Sequence, residues 1–346
     1  MVSILIAILI FGFLIFIHEL GHYTAARIFD VGINEFAVGM GPKLLSKRSK
    51  KTGILYSLRA LPIGGFVSMV GEDTDTEGEN SINSKPVWQR LIVMAAGAFM
   101  NIVVGIILSA VLVGMLHNSL GNTRISRLSE NALQNENGLK LEDKIVSING
   151  QKVHTDYDFQ YALFRCGTED LTVKVIRDGK SVTLTGVDLT EKVTDESGNE
   201  VTSYNFSITK EKFGLGVFIK HTYIRSVTTV RMIWESVIDL IAGKYKLDQL
   251  SGPVGITGEI GKAVKNSDGG LTLINLSAVI ALNLGVMNLL PFPALDGGRI
   301  VFLIIEGIRR KPINRNVEGY IHFAGLALLM LLMLVITFKD IFKLIG

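Results

Sequence analysis

The sequence predicts a polytopic α-helical membrane protein with about four transmembrane helices and an inserted α+β domain. Hydrophobic residues make up 48% of the 346 positions and charged residues only 19%, and the mean hydropathy is +0.38. This composition is too apolar for an ordinary soluble enzyme, so membrane-spanning helices are expected. The net charge is only +3, and no basic cluster indicates a nucleic-acid partner.

Four segments are long and apolar enough to cross a bilayer, and they cover residues 2–23, 91–116, 271–290 and 320–338. The first lacks a positively charged start and a small-residue cleavage site, so it is predicted to be a retained helix rather than a signal peptide. The second carries small residues that permit close packing of helices, namely Gly97, Ala98, Gly105 and Ser109.

Lysine and arginine in the short connections predict the orientation of the chain. Nine of them lie between the first two segments and five between the last two. The positive-inside rule therefore places both connections on the cytoplasmic side. The long connection, roughly residues 118–270, and both termini are then extracytoplasmic.

The sequence HELGH, residues 18–22, ends the first apolar run and is typical of a hydrolytic zinc site. On a helix, His18 and His22 lie one turn apart on one face, where two imidazoles can bind one Zn²⁺ with Glu19 beside them as general base. Chance gives only about 0.005 such motifs in a chain of this composition. The alternative is a pair of packing histidines, which does not explain an acid between them at membrane depth.

A third zinc ligand must come from another buried segment, because catalytic zinc takes three protein ligands and an open position. The stretch NLLPFPALDGGR, residues 288–299, has two prolines that end the third helix and then Gly297 and Gly298, which loosen the backbone. Broken backbone at membrane depth is expected only where it lines a protein cavity. Asp296 is therefore the predicted third ligand, and a helix-capping aspartate is the alternative. The single cysteine excludes a cysteine-based metal framework.

The first connection is predicted to contain strands rather than a plain linker. Its strand-like runs are interrupted by Gly39, Gly41, Gly53, Gly64 and Gly65. SKKTG, residues 49–53, predicts a hairpin turn. Open strands cannot face lipid, so these runs must lie against protein or a water-filled cavity. The acidic stretch 71–80 is predicted to be a solvated loop.

The long connection is predicted to hold a small soluble domain followed by a helix. Alternating residues predict a hairpin that turns at Asp178-Gly179. YDFQYALF predicts a short helix with Phe159, Leu163 and Phe164 in the core. Beyond residue 221, one helical stripe is apolar and another is charged. The apolar stripe consists of Val227, Val230, Trp234, Val237 and Ile241, and the charged one of Arg231, Glu235 and Asp239. Such a helix either lies on the membrane surface or packs as an ordinary helix.

Together, HExxH and NxxPxPxLDGG resemble the site-2 protease family of intramembrane zinc metalloproteases. The stretch 136–153 resembles a PDZ domain, with Glu142 where the usual pattern has glycine before Asp143. Residues 64–73 and 250–256 are also similar to the bacterial regulator-of-sigma-E protease group, here with a single PDZ-like domain.

This resemblance implies roles for individual residues. His18, His22 and Asp296 match the zinc ligands, and Glu19 matches the general base. Asn288, Gly64 and Gly65 match substrate-binding positions. The glycines of the first connection match a membrane-re-entrant β-loop. The edge of such a loop could bind an unwound substrate by strand addition.

The implied function is cleavage of transmembrane segments in regulated intramembrane proteolysis at the bacterial inner membrane. The implied partners are single-spanning membrane proteins, such as anti-sigma factors or remnant signal peptides, together with the lipid bilayer. The active site would face the cytoplasm. A non-catalytic PDZ scaffold and a metal transporter are the alternatives. Whether the PDZ-like domain filters substrates by size or captures a C-terminus is left open.

The predicted division of the chain has seven parts. These are the first transmembrane helix with HExxH (1–30), the cytoplasmic-side loop with the re-entrant hairpin (31–90), the second helix (91–117), the PDZ-like domain (118–220), an amphipathic helix and connection (221–270), the third helix with the LDG motif and a cytoplasmic connection (271–318) and the fourth helix (319–346).

Overall fold

The computed structural model describes residues 2–72, 78–133, 138–194, 200–244 and 252–345. The middle of the predicted acidic loop, at 73–77, lies outside these residues, as do the first two residues of the PDZ-like stretch. The chain forms two compact units, one of Met1–Leu108 with Ile233–Gly346 and the other of Ser109–Met232.

Within the described residues, four helices are long and apolar enough to cross a membrane. They are α1 (Val2–Ile28), α2 (Val87–Met115), α7 (Gly269–Asn288) and α9 (Arg315–Ile345). Many of their large apolar side chains are exposed, as expected for helices whose outer faces contact lipid. The prediction of a polytopic membrane protein is confirmed.

Small residues bring the spanning helices of the first unit together. A methyl group on Gly105 of α2 would lie 2.6 Å from Cγ of Leu282 in α7. One on Gly285 of α7 would lie 2.9 Å from the carbonyl oxygen of Ala98 in α2. Without side chains at these glycines the helices approach closely, so the predicted packing role holds for Ala98 and Gly105.

Two shorter helices complete the first unit, α6 (Pro253–Lys265) and α8 (Asp296–Arg309), and a short 3-10 turn covers Ile82–Ser84. The first turn of α6 is capped from another helix. The buried carboxylate of Asp340 in α9 accepts hydrogen bonds from the backbone N–H groups of Gly252, at 2.8 Å, and Gly255, at 3.0 Å. A carboxylate at this position accepts hydrogen bonds from N–H groups that have no partner within the helix, and its negative charge interacts favourably with the positive end of the helix dipole.

Two bent strands form the sheet of the first unit, β1 (Ile33–Arg48) and β2 (Leu55–Met69). The predicted turn at 49–53 joins them. Gly39 and Gly64 have φ values of 85° and 84° where the strands bend, a conformation that favours glycine. The start of β1 pairs with both halves of β2, since Phe36 lies opposite Val67 and also Tyr56. The end of β2, residues 65–69, therefore has a ladder partner on one side only among the described residues.

The second unit is built on a sheet with the strand order β10-β3-β4-β6-β7, and β5 pairs with β4. These strands are β3 (Gly121–Leu128), β4 (Lys144–Ile148), β5 (Gln151–Lys152), β6 (Leu171–Arg177), β7 (Lys180–Val187) and β10 (Phe206–Lys210). The hairpin predicted at Asp178-Gly179 is confirmed, because Arg177 pairs with Lys180. A separate hairpin contains β8 (Thr190–Thr194) and β9 (Glu200–Tyr204).

Among the described residues, the second unit contains the helices α3 (Glu130–Leu133) and α4 (Asp156–Cys166), the last residues of α2 and most of α5 (Leu215–Ile241), which continues into the first unit. In α4, Phe159 and Leu163 are buried as predicted, but Phe164 is 76% exposed. The prediction for Phe164 is wrong because five residues at 100° each place it about 140° from Phe159 around the helix.

Part of the apolar stripe predicted for α5 is exposed. Val227 is 47% exposed, Trp234 50% and Ile241 81%, whereas Val230 and Val237 are half-buried. In the charged stripe, Arg231 is exposed and Asp239 is only 3% exposed. A helix on the membrane surface and an ordinary packed helix therefore both stay as predictions.

Glu142, which stands where the resemblance to a PDZ domain would have glycine, adopts a backbone conformation that favours glycine. Glu142 has a φ of 68°, and the left-handed region costs a side-chain-bearing residue about 1–2 kcal/mol. The next residue, Asp143, is fully buried and accepts two hydrogen bonds from Arg177, at 2.8 Å and 2.7 Å. That ion pair holds the loop in place despite the strain at Glu142.

We expect Glu142→Gly to stabilise the second unit by about 1 kcal/mol, because glycine adopts this conformation without strain. The single cysteine, Cys166, packs against the core of this unit. Its rate of thiol labelling in denaturant therefore reports unfolding of this unit in the whole protein. Asp178→Gly is the matched control, because it also replaces a residue of positive φ, 49°, by glycine, but in the tight turn of the same sheet. Faster labelling of the Glu142→Gly variant would contradict the prediction.

Candidate metal centre

The three predicted metal ligands lie together in the first unit. Nε2 of His18 and Nε2 of His22 are 3.1 Å apart on one face of α1. Oδ2 of Asp296, at the start of α8, lies 3.2 Å from the first nitrogen and 3.4 Å from the second. Among the described residues, these three side chains form the one group that could hold a metal ion.

The spacing of the three atoms fits a tetrahedral zinc ion. Ligand atoms about 2.0–2.2 Å from such an ion lie about 3.3–3.6 Å from one another, and the three distances here are 3.1, 3.2 and 3.4 Å. Oδ2 of Asp296 is buried without a hydrogen-bond partner within the described chain. A cation satisfies that oxygen, and two imidazoles with one carboxylate form a ligand set that zinc commonly takes.

Helix α2 positions the second histidine. Nδ1 of His22 donates a hydrogen bond to the carbonyl oxygen of Val93 at 2.8 Å, which leaves Nε2 free for a metal. One turn later, a methyl group on Gly97 would overlap the ring of His22 and lie 2.8 Å from Nε2 of His18. Sequence reasoning assigned Gly97 only to helix packing, and its role beside the imidazoles was missed.

Two asparagines approach the other nitrogen of His18. Nδ2 of Asn288, at the end of α7, and Nδ2 of Asn101, in α2, each lie 3.4 Å from Nδ1 of His18. Asn288 was predicted near the site, whereas Asn101 was not. An asparagine in an apolar span, four residues after Gly97, is the signal that could have found it.

A break of seven residues between α7 and α8 places Asp296. Ala294 has a φ of 74°, and its backbone N–H donates to Nδ1 of His322 in α9 at 2.9 Å. A methyl group on Gly325, also in α9, would lie 2.7 Å from the carbonyl oxygen of Pro293. Helix α9 therefore supports the two residues that precede Leu295 and Asp296.

The expectation that Gly297 and Gly298 loosen the backbone is wrong. Both are buried within the first turn of α8. A methyl group on Gly297 would overlap the carbonyl groups of Leu289 and Leu290, and one on Gly298 would lie 2.5 Å from the carbonyl oxygen of Phe292. The glycines let the start of α8 fold back against the break, which is a matter of space rather than flexibility.

Glu19 lies against the end of β2. Its carboxylate lies near the backbone N–H of Val67. A methyl group on Gly65 would lie 3.4 Å from Cγ of Glu19 and 2.8 Å from the carbonyl oxygen of Ala37. Gly64 therefore lies at the bend of β2, and Gly65 begins the edge segment 65–69 beside Glu19.

Glu35 fixes the bend of the same sheet. Its carboxylate accepts hydrogen bonds from Ser57 at 2.6 Å, Lys43 at 2.9 Å and Arg59 at 2.9 Å. Arg59 also donates to the carbonyl oxygen of Gly41 at 2.9 Å. Partial burial alone would raise the pKa of Glu35, but the three donors outweigh it and lower the pKa to about 2.

The contribution of Glu35 to stability should depend on pH. Because its pKa falls from 4.5 to about 2 on folding, its stabilisation is complete above pH 4.5 and is lost as the pH falls toward 2. We expect Glu35→Gln to lower the melting temperature at pH 7 and the difference from wild type to shrink with acid. Melting of the purified protein between pH 7 and pH 3 measures this, and a difference independent of pH would contradict it.

Comparison with known proteins agrees with this geometry. The model of peptidase family M50 matches residues 6–332. The regulator of sigma-W protease RasP of Bacillus subtilis is 32% identical, with 99% of each chain covered. The zinc metalloprotease RasP of Geobacillus kaustophilus is 31% identical over 99% of this chain and 98% of its own length. A protein of Fusobacterium nucleatum is 36% identical over 99% of this chain and all of its own. The chain therefore belongs to peptidase family M50 and is a metalloprotease that spans the membrane several times.

Proposed function

We propose that this protein is an intramembrane zinc metalloprotease that cleaves transmembrane segments of membrane-anchored substrates. The observation that carries the proposal is the triangle of His18, His22 and Asp296. The two histidines lie on α1, which is apolar enough to span a bilayer, Asp296 begins α8, and the spacing of the three ligand atoms suits zinc. A peptide bond that is cleaved at this site must reach the level of His18 and His22 within the membrane-spanning helix α1. Family membership favours this function over a non-catalytic scaffold or a transporter.

The residues present divide the chemistry between them. His18, His22 and Asp296 would hold the zinc ion, which when bound would supply a Lewis acid for the scissile carbonyl and would lower the pKa of water. Glu19, one residue after His18, accepts a proton from the attacking water and returns it to the departing amine. The carbonyl oxygen of Val93 accepts a hydrogen bond from His22, and the Glu19 carboxylate lies near the backbone N–H of Val67, so His22 is oriented and Glu19 is placed beside β2 before substrate arrives.

The edge of β2 supports a role in presenting the substrate. A transmembrane substrate is helical and its peptide carbonyls are engaged in its own hydrogen bonds, so cleavage needs an extended segment. Residues 65–69 offer an unpaired strand edge next to Glu19 within the described sheet. A substrate strand added there would regain the hydrogen bonds that it loses on unwinding. On this proposal β1 and β2 form a membrane-re-entrant loop, with Gly64, Gly65 and Asn288 at the substrate.

The proposed substrates are single-spanning proteins, such as membrane-anchored anti-sigma factors or remnant signal peptides. The Bacillus subtilis relative is named a regulator of sigma-W protease, which supports a role in regulated proteolysis. The second unit is proposed to be a single PDZ-like domain. The bounds proposed for this domain are residues 118 and 220.

Reconstituted membranes test the function. The purified protein, with zinc, is combined in proteoliposomes with a single-spanning substrate, and the cleavage site is mapped by mass spectrometry. We expect cleavage within the spanning segment that a chelator abolishes and added zinc restores. Cleavage confined to residues outside the bilayer would contradict the proposal.

The proposed orientation, with the β1–β2 turn cytoplasmic and the second unit and both termini outside, has its own prediction. In a Cys166→Ala background, a cysteine at Lys51 should be protected from a membrane-impermeant thiol reagent in intact cells, and one at Lys180 should react. Both positions are exposed turn or strand-end residues. Lysed cells provide the control, where both should react. The reverse pattern in intact cells would overturn the orientation.

A further inference from the structure

Three residues of α2 form a row beside the two histidines of α1. Val93, Gly97 and Asn101 are spaced by four, so they lie on one face of the helix. Val93 contacts His22 through its carbonyl oxygen, Gly97 lies against both imidazoles, and Asn101 contacts His18. The row therefore lies against both histidines, but only the partner of His22 has the hydrogen-bond chemistry of a metal-supporting group.

Asn101 is an unusual residue for this place. Its side chain lies in an apolar span and is 0% exposed. Its Oδ1 has no hydrogen-bond partner within the described chain, although its Nδ2 lies 3.4 Å from Nδ1 of His18. Buried amide oxygens in proteins are nearly always hydrogen-bonded, so this oxygen requires a donor.

The proton on His18 supplies that donor. If Nε2 of His18 faces a metal, the neutral ring carries its proton on Nδ1, and that N–H needs an acceptor. A half-turn of the Asn101 amide exchanges its oxygen and nitrogen, which occupy nearly equivalent positions. The exchange brings Oδ1 to Nδ1 of His18, so that this oxygen accepts the imidazole N–H, and it turns the NH₂ group of Asn101 to the place that Oδ1 left.

We propose that Asn101 is a positioning residue for the metal centre, whose amide oxygen accepts a hydrogen bond from Nδ1–H of His18. It fixes the tautomer and the ring orientation of His18, as the Val93 carbonyl does for His22. The inference rests on the proposed zinc-dependent function, and it assigns to α2 the support of both histidine ligands.

Asn288 is the competing partner, since its Nδ2 lies at the same distance from Nδ1 of His18. Asn288 is only partly buried and sits at the end of α7 beside the break. Its oxygen is not among the buried groups that lack a partner within the described chain. Asn288 therefore remains available to a substrate, whereas the fully buried amide of Asn101 faces His18.

Zinc affinity of the full-length protein in lipid nanodiscs tests the proposal, by competition with a chelator of known affinity. Asn101→Leu removes the acceptor at similar size and should weaken zinc binding by about 10–100-fold, the usual effect of losing an outer partner of a ligand. Asn101→Asp keeps the acceptor and should bind zinc within about threefold of wild type or more tightly, as in carboxylate–histidine–zinc arrangements. Asn288→Leu should leave zinc affinity unchanged while raising KM.

The possible results distinguish a wrong role for Asn101 from a wrong metal site. Wild-type zinc affinity in Asn101→Leu, or equal weakening in the leucine and aspartate variants, would overturn the role of Asn101. Asp296→Ala tests the metal site itself, because undiminished zinc binding in that variant would refute Asp296 as a ligand, and a wild-type protein that cleaves its substrate without zinc would refute the proposed zinc-dependent function. If the leucine variant does not fold, nuclear magnetic resonance of ¹⁵N-histidine-labelled protein with zinc decides, by comparing the wild type with Asn101→Asp. The Nδ1–H proton of His18 must be protected from exchange with water in the wild type and must change its chemical shift in Asn101→Asp, whereas an Nδ1–H that exchanges freely and does not shift would refute the proposal.

Discussion

Glu19→Gln should abolish peptide cleavage while leaving zinc bound. Glutamine keeps the size of the side chain but cannot accept a proton from water, and general-base catalysis typically contributes about 10²–10⁴-fold in rate. Glu19 is not one of the three converging ligands, because those are His18, His22 and Asp296. Metal analysis of the purified variant, together with the cleavage rate in proteoliposomes, measures both halves of the expectation.

A matched control for this substitution is Glu259→Gln, since Glu259 is an exposed glutamate of α6 that pairs with Lys262 on its own helix, at 2.7 Å. It should cleave at the wild-type rate. If Glu19→Gln lost zinc as well as activity, Glu19 would have to be reassigned as part of the ligand set. If it cleaved normally, another group would have to serve as the base.

Asp296→Ala should lose both zinc and activity. It removes one of three ligands, so its effect on zinc affinity should exceed the roughly 10–100-fold cost of losing an outer partner of a ligand. The loss should also exceed that of Asn101→Leu, which leaves all three ligands in place. Chelator competition gives the affinity, and the same preparations give the cleavage rate.

Asp268→Ala is the control for Asp296→Ala. Asp268 precedes α7 and makes no capping hydrogen bond through its side chain, so neither zinc nor activity should change. Normal zinc content in Asp296→Ala would show that the approach of Asp296 to the histidines, at 3.2 and 3.4 Å, is an ion pair and not a metal site.

Local spacing was sufficient to predict the spanning helices and the two histidines. A run of about 20 apolar residues has few alternatives to a spanning helix, and the HExxH spacing places two imidazoles on one face whatever the rest of the fold does. Asp296 could be predicted because a broken, acid-bearing segment at membrane depth needs a special explanation. The hairpins at 49–53 and at Asp178-Gly179 were predictable for the same reason, since turn residues act locally.

The sequence by itself therefore determined which residues meet at the candidate metal centre, because residue type and short-range spacing decide donor atoms, helical faces and apolar runs. Only the tertiary structure decided how those residues are held. The contacts of His22 with Val93, of His18 with Asn101 and of Ala294 with His322 join positions 71, 83 and 28 residues apart. No periodic pattern encodes such pairs. The role of Gly97, and of the glycines after Asp296, depends likewise on which neighbour occupies the space where a side chain would stand, and packing sets that neighbour.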